Sequence, residues 1–467
     1  MSTFPQPLLD ALAADPRRTV IEHGERRVSA DELLATVRRM VGGLKTSGLG
    51  RTSGVALVTG ATPDAFAAYL AASVLGCRVI GIRPGYSENQ LAHVLTEGVD
   101  AVVTDNTLIQ LDAGKPADLD AAGRPDDVAR IVYTSGSTGT PKGCMQTYGA
   151  MSNHWSWAPH MWDEDTRDLA RYGERYLLLG TLASAVVQDY AVLALLAGGT
   201  AVMPENNEPL TYAIQRLGIT GTLLGVPRLY QLLDVLRADD VDTSSLQGVV
   251  VAGSPVPPHR LQEAIDRLGP VMYEAYGQSE TGNLTLLTPA HVEKYGAGIL
   301  SSVGRPHAHV DVAVRSGELY VRSRYAVAGY WEDEAETAEV FVDGWVRTRD
   351  LGHLDERGFV HLTGRARDVI IVNAVPHYAG PIEAVLAAHP DVDQAYVVGA
   401  PDERTGEAVH AFVVPARGHV PFDDVLRGAV LDALGEGSVP KTVTYLHEVP
   451  VAKSGEPDKL ALRASIT

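Results

Sequence analysis

The sequence predicts an α/β protein in which a large N-terminal part, two α/β subdomains plus a small β-rich subdomain, is followed by a mobile α+β lid. Three observations carry this. Up to about residue 268, β-rich runs alternate with Ala/Leu-periodic helical stretches, the pattern of layered, mostly parallel sheets. From about Gly304 the texture changes to short strands separated by turn residues. After the polar, turn-compatible "GRARD", helices return between longer strands, which sets the expected boundary between residues 1–365 and 366–467.

The first cycle reads as strands "SGVALV", "CRVIGI" and "DAVVTD" with helices "DAFAAYLAASVL" and "NQLAHVLTEG". The run "AVLALLAGGTAVM" is too short for a bilayer span and is cut by two glycines, so it reads as core helix, turn, then strand. A second cycle follows with "TYAIQRLG", "ITGTLLGV", "PRLYQLLDVL", "LQGVVVAG" and "PHRLQEAIDRL". The β-rich part is "HVDVAVRSGELYVRS" and "GWVRTRDLGHLDERGFVHLTG"; the lid comprises helix "GPIEAVLAAH", strands "QAYVVGAP" and "AVHAFVVP", helix "FDDVLRGAVLDALG" and a closing turn.

Composition narrows the function classes. With 467 residues and 45% hydrophobic content the chain can bury substantial cores. Its 39 basic against 58 acidic side chains give a net charge of −19, which repels nucleic acid and anionic lipid from most of the surface. The N-terminal "MSTFPQPLLDALAADPRR" lacks the apolar core of a secretory signal, so a cytoplasmic location is expected. Cys77 and Cys144 are too few and too isolated for a disulfide framework or a zinc site. Nothing in the pattern reports an oligomeric state.

Chemistry is most legible at "IVYTSGSTGTPKG", residues 131–143, where a β-run enters a loop with five Ser/Thr hydroxyls before Lys142 and three glycines, two before that lysine and one after it. Glycines let backbone N–H groups converge on an anion, hydroxyls add donors and Lys142 adds a point charge, so the loop suits a polyphosphate. Ser/Gly/Thr loops are often plain surface loops; here the density of donors behind an apolar strand, with a lysine at the exit, favours phosphate binding. The Gly-to-Lys spacing is not that of a Walker loop.

This stretch resembles the phosphate loop of the acyl-adenylate-forming superfamily, which includes acyl- and aryl-CoA ligases, peptide-synthetase adenylation domains and luciferases. Further matches follow in the family's order: "YEAYGQSETG", "GELYVRSRYAVAGYW", "WVRTRDLGHLDERGFVHLTGR" and "SGEPDKLALR". The resemblance implies ATP with Mg²⁺, attack of a carboxylate on the α-phosphorus, a lid that rotates about a hinge, and capture of the acyl group by a nucleophile. Position by position, it implies that Thr134, Ser135, Gly136, Ser137, Thr138, Gly139 and Lys142 hold the outer phosphates. Glu274, Ala275, Tyr276 and Gly277 form a nucleotide-binding stretch with Tyr276 against adenine, and Gly253 with Ser254 lines the other face. Ser279, where relatives commonly have Thr, reaches the α-phosphate, and Glu280 ligates the metal. Asp350 takes the ribose hydroxyls and Arg365 assists near ribose and phosphate.

Three departures from the family pattern stand beside these matches. The aromatic and the His or Asp common in the acyl pocket fall on Leu182 and Ala183. In "IIVNAVPHYAGPIEAVL", Asn373 and Ala374 occupy glycine places, where non-glycine residues hinder close backbone approach or positive φ, Ala379 a proline place and Pro381 that of a glutamate, so a pantetheine tunnel of the usual form is not expected and coenzyme A is left open as the acceptor. At the hinge Arg367 stands for a commoner Asp, and Glu456 stands where relatives carry the lysine that bridges carboxylate and α-phosphate. A carboxylate beside a triphosphate is repulsive, so Glu456 cannot replace that lysine. For the acid, Trp157 lies at the family's spacing for a pocket aromatic, and the small Ala183, Ser184 and Ala185 leave room for a ring. The main reading is an adenylate-forming ligase, acyl/aryl-CoA-ligase-like, for a small acid, with these pocket positions favouring an aromatic one. The alternatives are a non-thiol variant, amide-forming or an ATP-dependent diazotase acting on nitrite plus an aryl amine, and an inactive nucleotide-binding scaffold. Retention of Lys142, Glu280, Asp350 and Arg365 argues against the last.

Overall fold

A computed structural model describes residues 3–83, 86–96, 98–134, 141–204, 209–366, 368–416, 418–452 and 457–466. The sequence expectations for Ser135, Gly136, Ser137, Thr138, Gly139, Arg367 and Glu456 lie outside the described residues.

The first α/β unit is a five-stranded sheet ordered Ala101–Thr104, Gly54–Val58, Arg78–Gly81, Val128–Thr134, Lys142–Thr147. The first four are parallel; the last two pair antiparallel, so the phosphate loop joins two edge-adjacent strands with Thr134 opposite Lys142. Helix Pro63–Val74 is buried on nearly every face, which explains its Ala-rich, weakly amphipathic sequence. Thr62 caps it by accepting from the Ala65 N–H at 3.2 Å.

The second unit is a nine-stranded sheet ordered Arg305–Pro306, Gly282–Leu287, Met272–Gln278, Gly248–Ala252, Gly221–Gly225, Arg175–Leu177, Thr200–Met203, Thr19–His23, Arg26–Ser29. Its centre is parallel and its two edges are antiparallel. Central strands such as "GVVVA" are apolar on both faces because helices cover both sides. The hairpin Thr19–Ser29 was not expected from the sequence; it is short and charge-rich, and it becomes a strand pair only by docking beside Thr200–Met203.

The β-rich unit is an antiparallel sheet of Val310–Arg315, Glu318–Ser323, Trp345–Leu354, Phe341–Val342 and Val360–Arg365. Sheet membership changes between Arg365 and Val369, where the C-terminal sheet begins. That sheet and helices Ala379–Ala387 and Asp423–Leu434 enclose a core of their own around Ile370, Ile382, Leu386, Val413 and Leu426. Among the described residues, the contacts between the C-terminal unit and the large one include two close ones. Gly380 packs on Gly364, where an added Cβ would stand 2.7 Å from the Gly364 Cα. Arg260, 1% exposed and lying 4.7 Å above the Tyr230 ring, forms an ion pair with Asp393.

One expectation needs correcting. Asn373 and Ala374 do not prevent a left-handed turn: they adopt φ 53° and 63° and close a two-residue hairpin between Val372 and Val375. Asn tolerates this conformation, whereas Ala bears a strain of about 1–2 kcal/mol that glycine would avoid. Among the described residues no helix is long and apolar enough to cross a membrane.

Candidate active site

The carboxyl ends of the parallel strands in both α/β units open onto one cavity of about 1210 Å³, the place where crossover topology leaves a cleft. Thr134 and Lys142 come from the first unit; Gly253, Ser254, Ala275, Gly277, Ser279 and Glu280 come from strand ends of the second. Asp350 and Arg365, register partners in the β-rich sheet, close the side next to the C-terminal unit.

At the Asp350 end the side chain is 5% exposed and burial pushes its carboxyl up, against the lowering influence of Arg365. The Tyr276 hydroxyl donates to Oδ2 at 2.7 Å and Gln278 Nε2 donates to the same oxygen at 2.6 Å, while Arg365 Nε lies 3.3 Å from Oδ1. Gln278 was missed by sequence reasoning, although it sits inside the quoted "YGQSE". Arg349 precedes Asp350 with a left-handed backbone, φ 60°, and its guanidinium bridges Glu336 at 2.7 Å and Glu339 at 2.6 Å. These two ion pairs hold a conformation that L-residues otherwise avoid. Glu274 is buried at 3% exposure and accepts from the Val256 N–H at 3.0 Å. Burial pushes its carboxyl up to about 8, so it fixes the chain just after Gly253 and Ser254.

At the Lys142 end the ammonium pairs with Glu336 at 2.7 Å and lies 5.6 Å from the centre of the Tyr330 ring. Burial opposes ionisation of Glu336, but the Lys142 hydrogen bond and the Arg349 and Lys142 charges hold its carboxyl below the usual range. Glu280 accepts from the Tyr330 hydroxyl at 2.7 Å. Among the described residues no three His, Cys, Asp or Glu side chains gather as a metal cage. Glu280, one of the carboxylates lining the cleft with Glu336 and Asp350, fits Mg²⁺, which is usually held through one or two carboxylates plus substrate phosphates.

At the far end Ser184 and Ala185 line the cavity, with Trp155, Val187 and Tyr190. Trp157 and Ala183 do not; they border a separate cavity of about 30 Å³ near Phe4. Trp157 is 5% exposed and its Nε1–H donates to Asp189 Oδ1 at 2.9 Å. Asp189 in turn pairs with Arg130 at 3.1 Å, both buried. Sequence reasoning passed over this pair, yet each member is a charge inside an apolar run, "VARIVY" and "AVVQDYAVLALL". Isolated charges in core segments are the readable signal.

Comparison with known proteins sets this geometry in context. The family model of AMP-binding enzymes matches residues 8–331, and that of the AMP-binding enzyme C-terminal domain matches 381–456. A feruloyl-CoA synthase of Amycolatopsis sp is 30% identical over 94% of this chain and 94% of its own. A medium/long-chain-fatty-acid–CoA ligase of Mycobacterium tuberculosis is 29% identical over 98% of this chain and 89% of its own. The structure of the amide bond synthetase McbA from Marinactinospora thermotolerans superposes with a TM-score of 0.84 at 31% identity, covering 98% of this chain and 99% of that one.

Proposed function

The chain belongs to the AMP-binding enzymes and is an adenylate-forming ligase, and on that premise we propose that it activates a small aromatic carboxylic acid with ATP and passes the acyl group to a nucleophile. One observation carries the substrate reading. A single cavity runs from the Asp350, Gln278 and Lys142 groups, suited to a nucleotide, to walls of Trp155 and Tyr190, suited to a ring.

In this reading Tyr276, held by Asp350, stacks on adenine, with Gly253 and Ser254 on its other face. The carboxylate oxygen of the acid attacks the α-phosphorus, an oxygen–phosphorus bond forms, and the bond to the β-phosphate oxygen breaks to release pyrophosphate. Negative charge shifts toward the leaving group, so Lys142 and the hydroxyl-rich loop of Thr134 to Gly139 supply the stabilisation, with Ser279 directed at the α-phosphate. Mg²⁺, bound through Glu280, would screen the triphosphate charge. Two ribose hydroxyls can both reach Asp350 once the exposed Arg365 gives up its 3.3 Å contact, which frees that cation for the phosphates. ATP as co-substrate favours a cytoplasmic setting.

Residues 366–467 act as the lid, hinged at Arg365 to Asp368. Protease cleavage there should slow when ATP and acid are bound. Transfer to an amine is a second reading, supported by the 31% identical amide bond synthetase and by Glu456 in the place of the usual lysine. Pyrophosphate release across aryl acids, fatty acids, amino acids and nitrite with aryl amines identifies the acid, and mass analysis with coenzyme A or an amine identifies the acceptor. Lys142→Ala and Glu280→Ala should each weaken ATP binding or turnover; calorimetry showing ATP binding unchanged in both would overturn the site assignment.

A further inference from the structure

Residues lining the far end of the cavity carry buried polar atoms that the activation of a carboxylate does not use. Arg130 is 8% exposed, His154 0% and Trp155 3%, and all three residues line the cavity. Among the described residues, Arg130 Nη1, His154 Nε2 and Trp155 Nε1 have no hydrogen-bond partner. Polar groups buried to this degree are ordinarily paired, so three together at one cavity end mark a place built for a ligand's polar group.

Charge and donor count define that group. Arg130 Nη2 donates to Asp189 at 3.1 Å, its Nε donates to Gln146, and Asp189 also accepts from Trp157 at 2.9 Å. The guanidinium is therefore already neutralised. His154 Nε2 stands 3.7 Å from Asp189 Oδ2, and its Nδ1 lies 3.0 Å from the Ser156 hydroxyl. Burial pulls the imidazole down to about 4, so it adds no charge at neutral pH. What remains is a neutral subsite with N–H donors from Arg130 and Trp155 and no free carboxylate oxygen to match them. A neutral acceptor fits this better than a second anion, which would face Asp189. The ring of Trp155 meets Tyr190 at 5.1 Å and 65° and stacks on His307 at 6.0 Å and 15°, which gives the subsite flat, rigid walls.

We propose that the acid is a planar aromatic carboxylic acid bearing a neutral hydrogen-bond acceptor, such as a carbonyl, at the end remote from the carboxyl, and that Arg130 with Trp155 selects it. This rests on the adenylation reading and deepens it. Arg130 is then a specificity-determining residue 12 positions before Lys142 on the same hairpin, so one strand pair serves both ends of the cavity.

The test uses the full chain, ATP, and three acids of matched shape: 6-acetyl-2-naphthoate, 6-isopropyl-2-naphthoate and naphthalene-2,6-dicarboxylate. Pyrophosphate release gives kcat/KM for each. The acetyl acid should exceed its isopropyl isostere on the order of tenfold or more, since a subsite with unpaired donors rejects a group that cannot accept. Because Arg130→Met alone strands a buried Asp189, the decisive variant is Arg130→Met with Asp189→Asn. It should bring the acetyl-to-isopropyl ratio to near one and leave the KM for ATP unchanged. Trp155→Phe should lower the same ratio without touching the ion pair. The ratio is independent of the active fraction, so partial misfolding does not disturb it. An isopropyl acid used as well as the acetyl acid, a ratio preserved in the double variant, or the dicarboxylate as best substrate would each overturn the inference and leave adenylation standing. No pyrophosphate from any acid would overturn the adenylation reading, and this inference with it.

Discussion

Replacing Asp350 by Asn should raise the KM for ATP by about a hundredfold while leaving that for the acid within about threefold, an effect of about 2.7 kcal/mol. A carboxylate offers about four acceptor positions. Tyr276 and Gln278 occupy two on Oδ2 at 2.7 and 2.6 Å, and Arg365 a third on Oδ1 at 3.3 Å. The Arg365 contact is the longest and comes from a side chain 59% exposed, so it is worth about 0–1 kcal/mol and is the one that yields to ribose. Asn is nearly isosteric and keeps one carbonyl oxygen for Tyr276 and Gln278. Its other end is an NH₂ donor that cannot accept from a hydroxyl and that faces the guanidinium. The loss is one or two charge-assisted hydrogen bonds at about 1.5–3 kcal/mol each. Pyrophosphate release at saturating acid with ATP varied gives the KM, and thermal melting of the variant checks the fold. An ATP KM shifted by less than about threefold, with melting unaltered, would refute the placement of ribose at Asp350.

Glu274→Gln should flatten the pH dependence of stability: the folded carboxyl titrates near 8 against an ordinary 4.5, so the native chain holds a proton that the unfolded chain has lost, and stability falls by about 1 kcal/mol per unit as pH rises through that window. Melting temperatures from pH 5 to 9 that decline equally in both proteins would contradict this. Ala374→Gly relieves the strain at φ 63° and should stabilise the C-terminal unit by about 1 kcal/mol, read by urea denaturation; destabilisation would show that Ala is at ease there. Glu456→Gln removes a negative charge near the proposed phosphates and should keep or raise pyrophosphate release, whereas a loss beyond about a hundredfold would make the acid itself catalytic.

The groups proposed for the nucleotide were largely legible as one cluster because they are local. Lys142 ends a loop that declares itself by glycine and hydroxyl density, and Tyr276, Ser279 and Glu280 sit within five residues of one strand end. Local order also located the change of sheet after Arg365, since the turn-rich "GRARD" separates two strand patterns. At the end proposed for the acid, the spacing of Trp157 along the chain was read as a pocket wall, but the indole is turned to Asp189 and Phe4 and borders the smaller cavity.

By itself, the sequence determined the α/β layering, the order of the units, the acidic composition and the contiguous glycine- and hydroxyl-rich stretch proposed for phosphate, because periodicity, charge and turn chemistry act over a few residues. Tertiary structure alone decided which distant groups meet. Arg130 finds Asp189 59 positions away, Gln278 finds Asp350 across 72, and Lys142 finds Glu336 in another unit. It also decided that Asn373 and Ala374 keep a left-handed turn. Strand and helix geometry fix the direction of a side chain relative to its own backbone, but the partner it meets is set by how separate sheets close on one another, and that closure is non-local.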